Sequence, residues 1–302
     1  MLHSRMLAIK TENLTKQFGG VTALDGLTLE TGHGEIVGFL GANGAGKTTT
    51  IRLLLDLLRP TAGRAFVDGH DCQRASVQAR AAVGYLPGEM PIYPDMNGRQ
   101  LLRFLAAVGP RRPDPAWLET LLTRFGLGAP ELSRPLVHLS HGMKQKVGLV
   151  QALMTRAPVL ILDEPTAGLD PLMSEAFCET MLALRAAGHA IFLSSHVLSE
   201  VERLCDRIAL IAGGRLVKVA SVDEIRREFP RRVRLTFSRT VPAPAPITAV
   251  SVVQVTDREW TLDVRGEMGP VLANTDTTAL ADIAIENFRL EEYILGLYET
   301  RA

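Results

Sequence analysis

The first part of the chain alternates between short apolar segments and glycine-bearing turns. Residues 7–14, 23–30 and 35–40 have the length and apolar content of β-strands, with glycines between the last two. The third segment, EIVGFL, is almost continuously apolar, which is typical of a strand buried on both faces of a sheet. Residues 47–58 then change to a helical pattern that Pro60 ends. We therefore predict strands followed directly by a helix.

A helical pattern occupies residues 90–157. Asn97 and Gln100 have the spacing of a capping box, and apolar residues follow them at helical intervals. A second helix of the same kind ends at Gly126. Strand-like segments then return, and they are VLILD at 159–163, AIFLSS at 190–195, and RIALIAGGRLVKVA, a hairpin turning at Gly213 and Gly214. Strands and helices that alternate around a helical insert predict an α/β sheet carrying a helical subdomain.

The last part of the chain has a different pattern. Beyond about residue 230, VRLTF, VSVVQV and EWTLDVRG are strand-like, VPAPAPI is a stiff connection, and LEEYILGLYE predicts a closing helix. No catalytic constellation is visible there, and a chain of 302 residues exceeds the usual size of one hydrophobic core. We expect a main domain over residues 6–220, with its helical subdomain at about 90–157, and an accessory domain over 221–302.

Composition and charge narrow the class of protein. Hydrophobic residues make up 46% of the chain and charged residues 22%, as in ordinary soluble globular proteins. Lys plus Arg and Asp plus Glu both total 33, so no net field attracts the whole molecule to nucleic acid or lipid. Three widely separated cysteines predict buried, reduced thiols. Without a secretion signal or a run of about 18 apolar residues, the chain is expected to be neither exported nor anchored by itself.

The segment GANGAGKT, residues 41–48, fits the pattern G-x-x-x-x-G-K-[ST] between a predicted buried strand and a predicted helix. Its glycines let backbone N–H groups converge on phosphate oxygens, and the helix start adds partial positive charge. Lys47 is placed to reach the β- and γ-phosphates, and the Thr48 hydroxyl is a ligand for Mg²⁺. A glycine turn that only caps a helix is the alternative, and the flanking strand and helix argue against it.

Two carboxylates follow another predicted buried strand. VLILDE ends in Asp163 and Glu164, and ligands bind at the carboxyl ends of parallel strands in such sheets. We expect Asp163 to hold Mg²⁺ through water and Glu164 to orient and deprotonate the attacking water. His196, after the strand AIFLSS, is a candidate to hydrogen-bond the γ-phosphate. By itself, a lone histidine is more often a polar surface residue.

The ordered motifs closely resemble those of the ATP-binding subunits of ABC transporters, in particular ABC-2-type exporters that include drug-resistance pumps. The resemblance covers roughly residues 6–220, and the motifs, in the family's order, are GANGAGKTT (Walker A), LSHGMKQ (signature), LILDEP (Walker B), AGLD (D-loop) and SSH (switch histidine). It implies an α/β P-loop NTPase with an N-terminal antiparallel β subdomain, an inserted helical signature subdomain and a small α+β C-terminal accessory domain. The implied ligands are ATP and Mg²⁺.

By this resemblance, ATP lies between two subunits. The Walker A motif of one subunit holds the phosphates and the signature of the other caps them, so that Ser140 and Gly142 offer hydroxyl and N–H donors at a helix N-terminus. The residues implied in nucleotide binding are Phe18, Gly41, Asn43, Gly44, Ala45, Gly46, Lys47, Thr48, Thr49, Ser140, Gly142 and Asp170. Those implied in hydrolysis are Lys47, Glu164 and His196, and those implied in Mg²⁺ binding are Thr48 and Asp163.

The resemblance also implies partners and a location. The partners are a second nucleotide-binding subunit, most simply an identical copy, and a separately encoded membrane permease that exports a substrate. The lack of a membrane span in the sequence agrees with a separate permease, and the single set of motifs agrees with a dimer. We expect an ATPase at the cytoplasmic face of the cell membrane, peripheral through the permease, with no nucleic-acid partner.

Three features of the sequence need weighing against the family's usual pattern. His141 and Met143 replace the Gly and Gln of the common signature LSGGQ, and the imidazole either crowds the phosphate or adds a donor. In the loop GYLPGEMPIYP, Gly88 followed by Glu89 stands where the family has Gln, which leaves metal contact and transmission to the permease open. Phe18 stands where the family stacks an aromatic ring on adenine, and a core position accounts for it equally well.

Two other classes of protein share some of these motifs. A soluble ABC ATPase acting on ribosomes or DNA generally carries two cassettes, long coiled-coil insertions or basic surfaces, which this sequence lacks. A P-loop kinase or other phosphotransferase accounts for the Walker motifs but not for LSHGMKQ. Five arginines near the domain junction either contact anionic lipid headgroups or, preferably, form a solvated face. They are Arg226, Arg227, Arg231, Arg232 and Arg234.

Overall fold

The computed structural model describes residues 7–91, 93–224, 231–265 and 267–286. The chain divides into two compact units, Met1–Val219 and Ala220–Ala302. Within the described ranges, no helix is long and apolar enough to cross a membrane.

An antiparallel sheet opens the first unit. Its strands are β1 (Leu7–Phe18), β2 (Val21–Gly32), β4 (Ala62–Val67) and β5 (His70–Asp71), in the order β2-β1-β4-β5. β1 and β2 form a hairpin that continues beyond the predicted segments as far as the pair Phe18 and Val21. Both residues of that pair are exposed, so the tip of the hairpin carries no burial pattern that the sequence could reveal.

A second sheet contains the parallel strands of the first unit. In the order β10-β9-β3-β8-β7-β6 it consists of β3 (Ile36–Leu40), β6 (Val83–Leu86), β7 (Val159–Asp163), β8 (Ala190–Ser195), β9 (Arg207–Ala212) and β10 (Arg215–Ser221). β3 pairs in parallel with β8 and β9, and β7 pairs in parallel with β6 and β8. Every residue of β3, β7 and β8 is buried, as their apolar sequences predict. The carboxyl ends of these three strands therefore meet at the same end of the sheet.

Helices connect these strands. They are α1 (Lys47–Leu54), α2 (Ser76–Ala81), α3 (Gly98–Val108), α4 (Pro115–Arg124), α5 (Ala129–Ser133), α6 (His141–Leu153), α7 (Pro171–Ala186) and α8 (Leu198–Leu204), with a 3-10 turn at Leu136–His138. α6 packs against β6, α7 against β8 and α8 against β3, so helices cover the second sheet. The helices from α3 to α6 follow one another in the described chain without a strand between them.

The helix predicted over residues 47–58 is shorter in the structure. α1 ends at Leu54, because Asp56 has a φ of 53° and cannot continue a right-handed helix. The N–H group of Leu57 donates instead to the carbonyl oxygen of Arg52 (2.9 Å) and closes a terminal turn. The helix therefore stops at a backbone reversal, ahead of the proline that predicted its end.

The capping box predicted for α3 is present. The side-chain oxygens of Asn97 and Gln100 each accept the other residue's backbone N–H, both at 2.9 Å. Two apolar residues of this helix, Phe104 and Val108, are nevertheless 43% and 63% exposed. α3 thus presents apolar surface that the described chain does not cover.

The three cysteines are buried and unpaired, as predicted. Burial raises the pKa of the Cys72 thiol to about 12, and it also raises the pKa values of Cys178 and Cys205. Thiols with raised pKa values stay protonated at neutral pH and are poor nucleophiles. The cysteines of this chain are therefore packing residues.

The second unit contains a separate antiparallel sheet. Its described strands, in the order β12-β13-β11-β14, are β11 (Arg231–Phe237), β12 (Val250–Val255), β13 (Glu259–Val264) and β14 (Leu280–Glu286), accompanied by a short helix at Gly269–Ala273. Its core includes Val233, Leu235 and Leu262. The ring of Trp260 packs edge-on against that of Phe237, with centroids 4.7 Å apart. The second unit therefore has a hydrophobic core of its own.

Three of these strands confirm the segments predicted from VRLTF, VSVVQV and EWTLDVRG. β14 was not predicted, although Ile283 and Ile285 alternate with other residues along it. The closing helix predicted from LEEYILGLYE lies outside the described residues.

Ion pairs occupy part of the arginine group. Arg232 lies 3.0 Å from Asp263, and Arg234 lies 3.8 Å from both Glu259 and Glu286. These partners favour the solvated face over lipid contact for Arg232 and Arg234. Arg226 and Arg227 lie outside the described residues.

Candidate active site

The loop from residue 41 to 46 connects buried β3 to α1. Gly44 and Gly46 have φ values of 79° and 112°, a left-handed region that favours glycine. A Cβ atom on Gly46 would lie 2.9 Å from the carbonyl oxygen of Ala23, and one on Gly41 would lie 2.4 Å from a backbone oxygen of β9. The loop therefore needs glycine for its backbone angles and its close packing. The first N–H groups of α1 have no acceptor within the helix and are available to an anion.

Lys47 joins this loop to the acidic end of β7. The residue is 6% exposed, and its ammonium group donates to the carbonyl oxygen of Gly41 at 2.6 Å. The same nitrogen lies 3.3 Å from a carboxylate oxygen of Glu164. A buried cation needs such partners, because burial without them disfavours the charged form.

Asp163 lies at the carboxyl end of β7 and is 4% exposed. One of its oxygens accepts a hydrogen bond from the Thr48 hydroxyl at 3.1 Å, and the other accepts one from Ser194 of β8. Hydroxyl and carboxylate oxygens are the hard ligands that Mg²⁺ prefers, so Thr48 and Asp163 fit a magnesium ion. Burial, together with the Asp163 charge, raises the pKa of Tyr85 on β6, so this phenol stays neutral.

Glu164 follows Asp163 with a φ of 49°, which is unusual for a residue other than glycine. Its backbone N–H donates to the Ser194 hydroxyl at 3.0 Å, and its carbonyl accepts from the Gln145 amide at 3.1 Å. One carboxylate oxygen faces Lys47, and the other lies 2.8 Å from Nδ1 of His196. Backbone strain of this kind concentrates at functional sites. Here it aims a carboxylate between two nitrogen-bearing side chains.

Most of the residues predicted in the phosphate loop, and both predicted metal ligands, line one cleft of about 230 Å³. Its lining consists of Ala23, Ala42, Asn43, Gly44, Gly46, Lys47, Thr48, Thr49, Gly88, Asp163 and Glu164. Gly41 and Ala45 do not line it. The N–H of Ala45 donates instead to the carbonyl oxygen of Ala42 at 3.1 Å and shapes the loop. Ala23 was not predicted as a lining residue, and it belongs to β2 of the antiparallel sheet.

The signature residues do not line this cleft. Ser140 is the N-cap of α6, and its hydroxyl accepts the backbone N–H of Met143 at 3.3 Å. Asp170 is the N-cap of α7, and its carboxylate accepts the N–H of Met173 at 2.9 Å. Gly142 packs against the carbonyl oxygen of Gly168, which a Cβ would approach to 2.5 Å. Within one chain, the start of the signature helix thus packs on the D-loop at Gly168, and none of these three predicted residues lines the cleft of the phosphate loop.

The structure places two residues whose roles the sequence left open, Gly88 and Phe18. A Cβ on Gly88 would lie 3.3 Å from the Asp163 carboxylate, whereas Glu89 is exposed and does not line the cleft. Phe18 is 46% exposed, and the Lys16 ammonium lies 4.8 Å from its ring centroid. The interpretation of Phe18 as a core residue is therefore wrong.

Ser194 and Gln145 were missed as site residues. The Ser194 hydroxyl bridges the Asp163 carboxylate and the Glu164 N–H, and it stands at the carboxyl end of the strand next to β7. Gln145 is 2% exposed and donates to the carbonyl oxygens of Glu164 and Pro165. Ser194 lies within SSH and Gln145 within LSHGMKQ. Their places in these two motifs were the sequence feature from which a role in the site could have been predicted.

Comparisons with known proteins agree on one family. The model of the ABC transporter family matches residues 24–167. The daunorubicin resistance ATP-binding protein DrrA3 of Streptomyces coeruleorubidus is 38% identical over 225 residues, which cover 73% of this chain and 70% of that protein. The bacitracin transport ATP-binding protein BcrA of Bacillus licheniformis is 35% identical over 231 residues, covering 76% and 75%. A solved ATP-binding subunit of an ABC transporter superposes with a TM-score of 0.68 at 33% identity, covering 73% and 92%.

A parallel sheet with a glycine loop at one strand end and paired acids at another defines a P-loop nucleoside triphosphatase. The relatives narrow that class further. The chain belongs to the ABC transporter family, in which it is an ATP-binding subunit that hydrolyses ATP. The predicted family, fold class and enzyme class are confirmed, and the comparisons support transport over an ATPase acting on ribosomes or DNA.

Proposed function

We propose that this chain hydrolyses ATP as one of two identical copies and drives export through a separately encoded membrane permease. The observation that carries the proposal is the division of the site. The cleft is lined from the phosphate loop, Asp163 and Glu164, whereas Ser140 and Gly142 lie elsewhere on the same chain. A γ-phosphate held in the cleft would still need donors on its outer side, and the signature of a second copy supplies hydroxyl and N–H groups of that kind.

In the proposed reaction, Glu164 accepts the proton of the attacking water. The carboxylate is already held at both oxygens, by Lys47 at 3.3 Å and His196 at 2.8 Å. This arrangement resembles a base with its orienting partner, which keeps the carboxylate in one orientation. In the proposed complex, the Lys47 ammonium pairs with phosphate oxygens, which frees one Glu164 oxygen for water.

Magnesium is proposed to bind at Thr48 and Asp163. Their side-chain oxygens are 3.1 Å apart, and both residues line the cleft. When bound, the ion would neutralise charge on the β- and γ-phosphates. Ser194 keeps the Asp163 carboxylate in place through the second oxygen, which supports a fixed metal ligand.

The permease is proposed to dock in an apolar groove of about 500 Å³ on the first unit. Its lining includes Leu57, Val83, Met90, Leu101, Leu105 and Val108. Pro87 lines the groove and the next residue, Gly88, lines the cleft beside Asp163. A partner helix in the groove would contact Pro87, and the adjacent Gly88 lies against the proposed metal ligand Asp163. This short connection supports transmission of movement between the permease and the nucleotide site.

Export and location follow from relatives and the proposed partner. Two relatives are named for daunorubicin resistance and for bacitracin transport. We therefore propose that the permease recognises and exports a compound of the general kind that these two names give. The ATPase would then lie at the cytoplasmic face of the membrane, held there by the permease.

The test of the paired site uses Glu164→Gln. This change keeps the shape of the side chain but removes the base, so hydrolysis should fall by about 10²- to 10⁴-fold while ATP still binds. Light scattering after size exclusion should then detect a dimer only with ATP. Adding Ser140→Ala to this variant should return it to a monomer. Undiminished turnover in Glu164→Gln would refute the assigned base, and a monomer at saturating ATP would refute the shared site.

The test of the permease groove compares two exposed valines. Val108 lines the groove and Val77 does not, and both are largely exposed, so glutamate at either position should leave the fold intact. We expect Val108→Glu, but not Val77→Glu, to lose a multi-span membrane protein that co-purifies with the full chain from detergent-treated membranes. Equal recovery with both variants would place the permease elsewhere.

A further inference from the structure

The signature segment and the D-loop of one chain pack together at two glycines. A Cβ on Gly142 would lie 2.5 Å from the carbonyl oxygen of Gly168. A Cβ on Gly168 would lie 2.4 Å from Cδ2 and 3.2 Å from Nε2 of His141. The imidazole ring therefore covers the α-carbon of Gly168, whose φ of 75° already favours glycine.

Two further contacts join helix α6 to the segment 164–170, which contains the D-loop. The Gln145 side-chain amide donates to the carbonyl oxygens of Glu164 and Pro165 at 3.1 and 2.9 Å. The Lys146 ammonium lies 3.9 Å from the Asp170 carboxylate. These residues follow the glycine contact by one helical turn, so one face of α6 holds the segment. The segment is thus attached near both of its ends and at its middle.

The ring of His141 has no counterpart in the common signature. With glycine at that position, the middle of the segment would keep its own hydrogen bonds, from the N–H of Ala167 to Glu164 (3.2 Å) and from that of Leu169 to Thr166 (3.0 Å). It would lose the side chain that covers Gly168. The imidazole thus contacts its own chain's D-loop, which is neither of the two roles expected from the sequence.

We propose that His141 is a positioning residue that fixes the D-loop on the signature helix. Ser140, Gly142 and Asp170 are then presented to the second copy as one rigid surface. This inference rests on the paired site proposed above. Because groups that are ordered in advance lose less conformational freedom on association, the contact lowers the ATP concentration needed for pairing.

The experiment compares His141→Ala with His141→Phe, both in the Glu164→Gln protein. Alanine removes the ring and keeps a good helix former, whereas phenylalanine keeps a ring without nitrogen donors. We expect the alanine variant to need about fivefold more ATP for half-maximal pairing. Deuterium exchange at the amides of residues 167–169 should also be faster in its nucleotide-free form. The phenylalanine variant should stay close to the parent in both measurements.

Two results would overturn the inference. In one, the alanine variant equals the parent in pairing and in exchange, so the ring orders nothing. In the other, phenylalanine is as defective as alanine, so the ring nitrogens act and the ring contact does not. A parent that fails to pair with ATP would instead refute the paired site, and the exchange rates of the nucleotide-free protein distinguish that failure from a failure of the His141 contact.

Discussion

The cleft and the signature segment are built in opposite ways. In the cleft, charged side chains provide the groups for binding and hydrolysis. Those of Lys47, Asp163 and Glu164 already have partners within the chain. They stand at the ends of buried structure, where packing fixes their positions. In the signature segment, Ser140 is exposed and serves its own helix as a cap, and Gly142 has no side chain to offer. What this segment can offer to a ligand is therefore one hydroxyl group and the N–H groups of a helix start, without a charged side chain from Ser140 or Gly142.

This difference predicts how variants in the two regions fail. A change in the cleft should alter binding or hydrolysis of the nucleotide held by the same chain. A change in the signature segment should leave that binding intact and alter the nucleotide held by the other copy. The two regions can therefore be separated by placing each lesion on a different copy.

Mixing Lys47→Ala with Ser140→Ala should produce the strongest change in activity. Each variant alone should be nearly inactive, because every pair it forms lacks either a cleft cation or a signature cap. In an equimolar mixture, half of the pairs are mixed, and each mixed pair has one intact site, so roughly a quarter of the activity should return. The measurement is phosphate release against mixing ratio.

The matched control for this mixture is Lys47→Ala combined with Ser140→Ala on the same chain, mixed with Lys47→Ala. No pair in that mixture has an intact site, so no activity should return. If the first mixture also stays inactive while both proteins remain folded, the cleft and signature do not act across a pair.

The chemistry of the cleft could be predicted from sequence because short-range patterns encode it. The glycines of residues 41–46 and the acids after VLILD stand next to the strands that position them. Ser194 was missed because its role depends on β8 lying between β3 and β7, which is a matter of strand order. A hydroxyl after an apolar strand has many possible partners until that order is known.

The contacts of the signature segment could not be predicted for a different reason. His141 meets Gly168 across 27 positions of the chain, and only the packing of α6 on the D-loop brings them together. The core alternative for Phe18 was wrong because an apolar residue at a surface resembles one in a core, and the edge strand β14, which is largely exposed, was not predicted. Sequence patterns report what is near in the chain, whereas these features depend on what is near in space.

Ser194→Ala tests a residue that holds the acids of the cleft in place. The change removes the hydroxyl that bonds both Asp163 and the Glu164 N–H, so a buried carboxylate loses one donor. Turnover should fall roughly 10- to 100-fold, as for other groups that hold a metal ligand, and the free energy of unfolding should drop by about 1–3 kcal/mol. ATP-dependent pairing of the Glu164→Gln protein should persist.

The control for Ser194 is its neighbour, Ser195→Ala. Ser195 is also buried, but its hydroxyl accepts the N–H of Val197, and among the described residues no hydrogen bond joins it to Asp163 or Glu164. Its removal should affect stability more than turnover. If both alanine variants reduced turnover equally, the bridge to Asp163 would have no special part in the site.

The smallest expected effect concerns the base of the nucleotide. Phe18 lies at the tip of the β1–β2 hairpin and is 46% exposed, and β2 also supplies Ala23 to the cleft. If the ring stacks on adenine, Phe18→Ala should weaken ATP binding to the single chain about fivefold, and Phe18→Trp should preserve it. Val21→Ala changes the exposed residue paired across the same hairpin and should have no effect. Calorimetric titration of the monomer measures all three, and an unchanged affinity in Phe18→Ala would leave the ring without a role in the cleft.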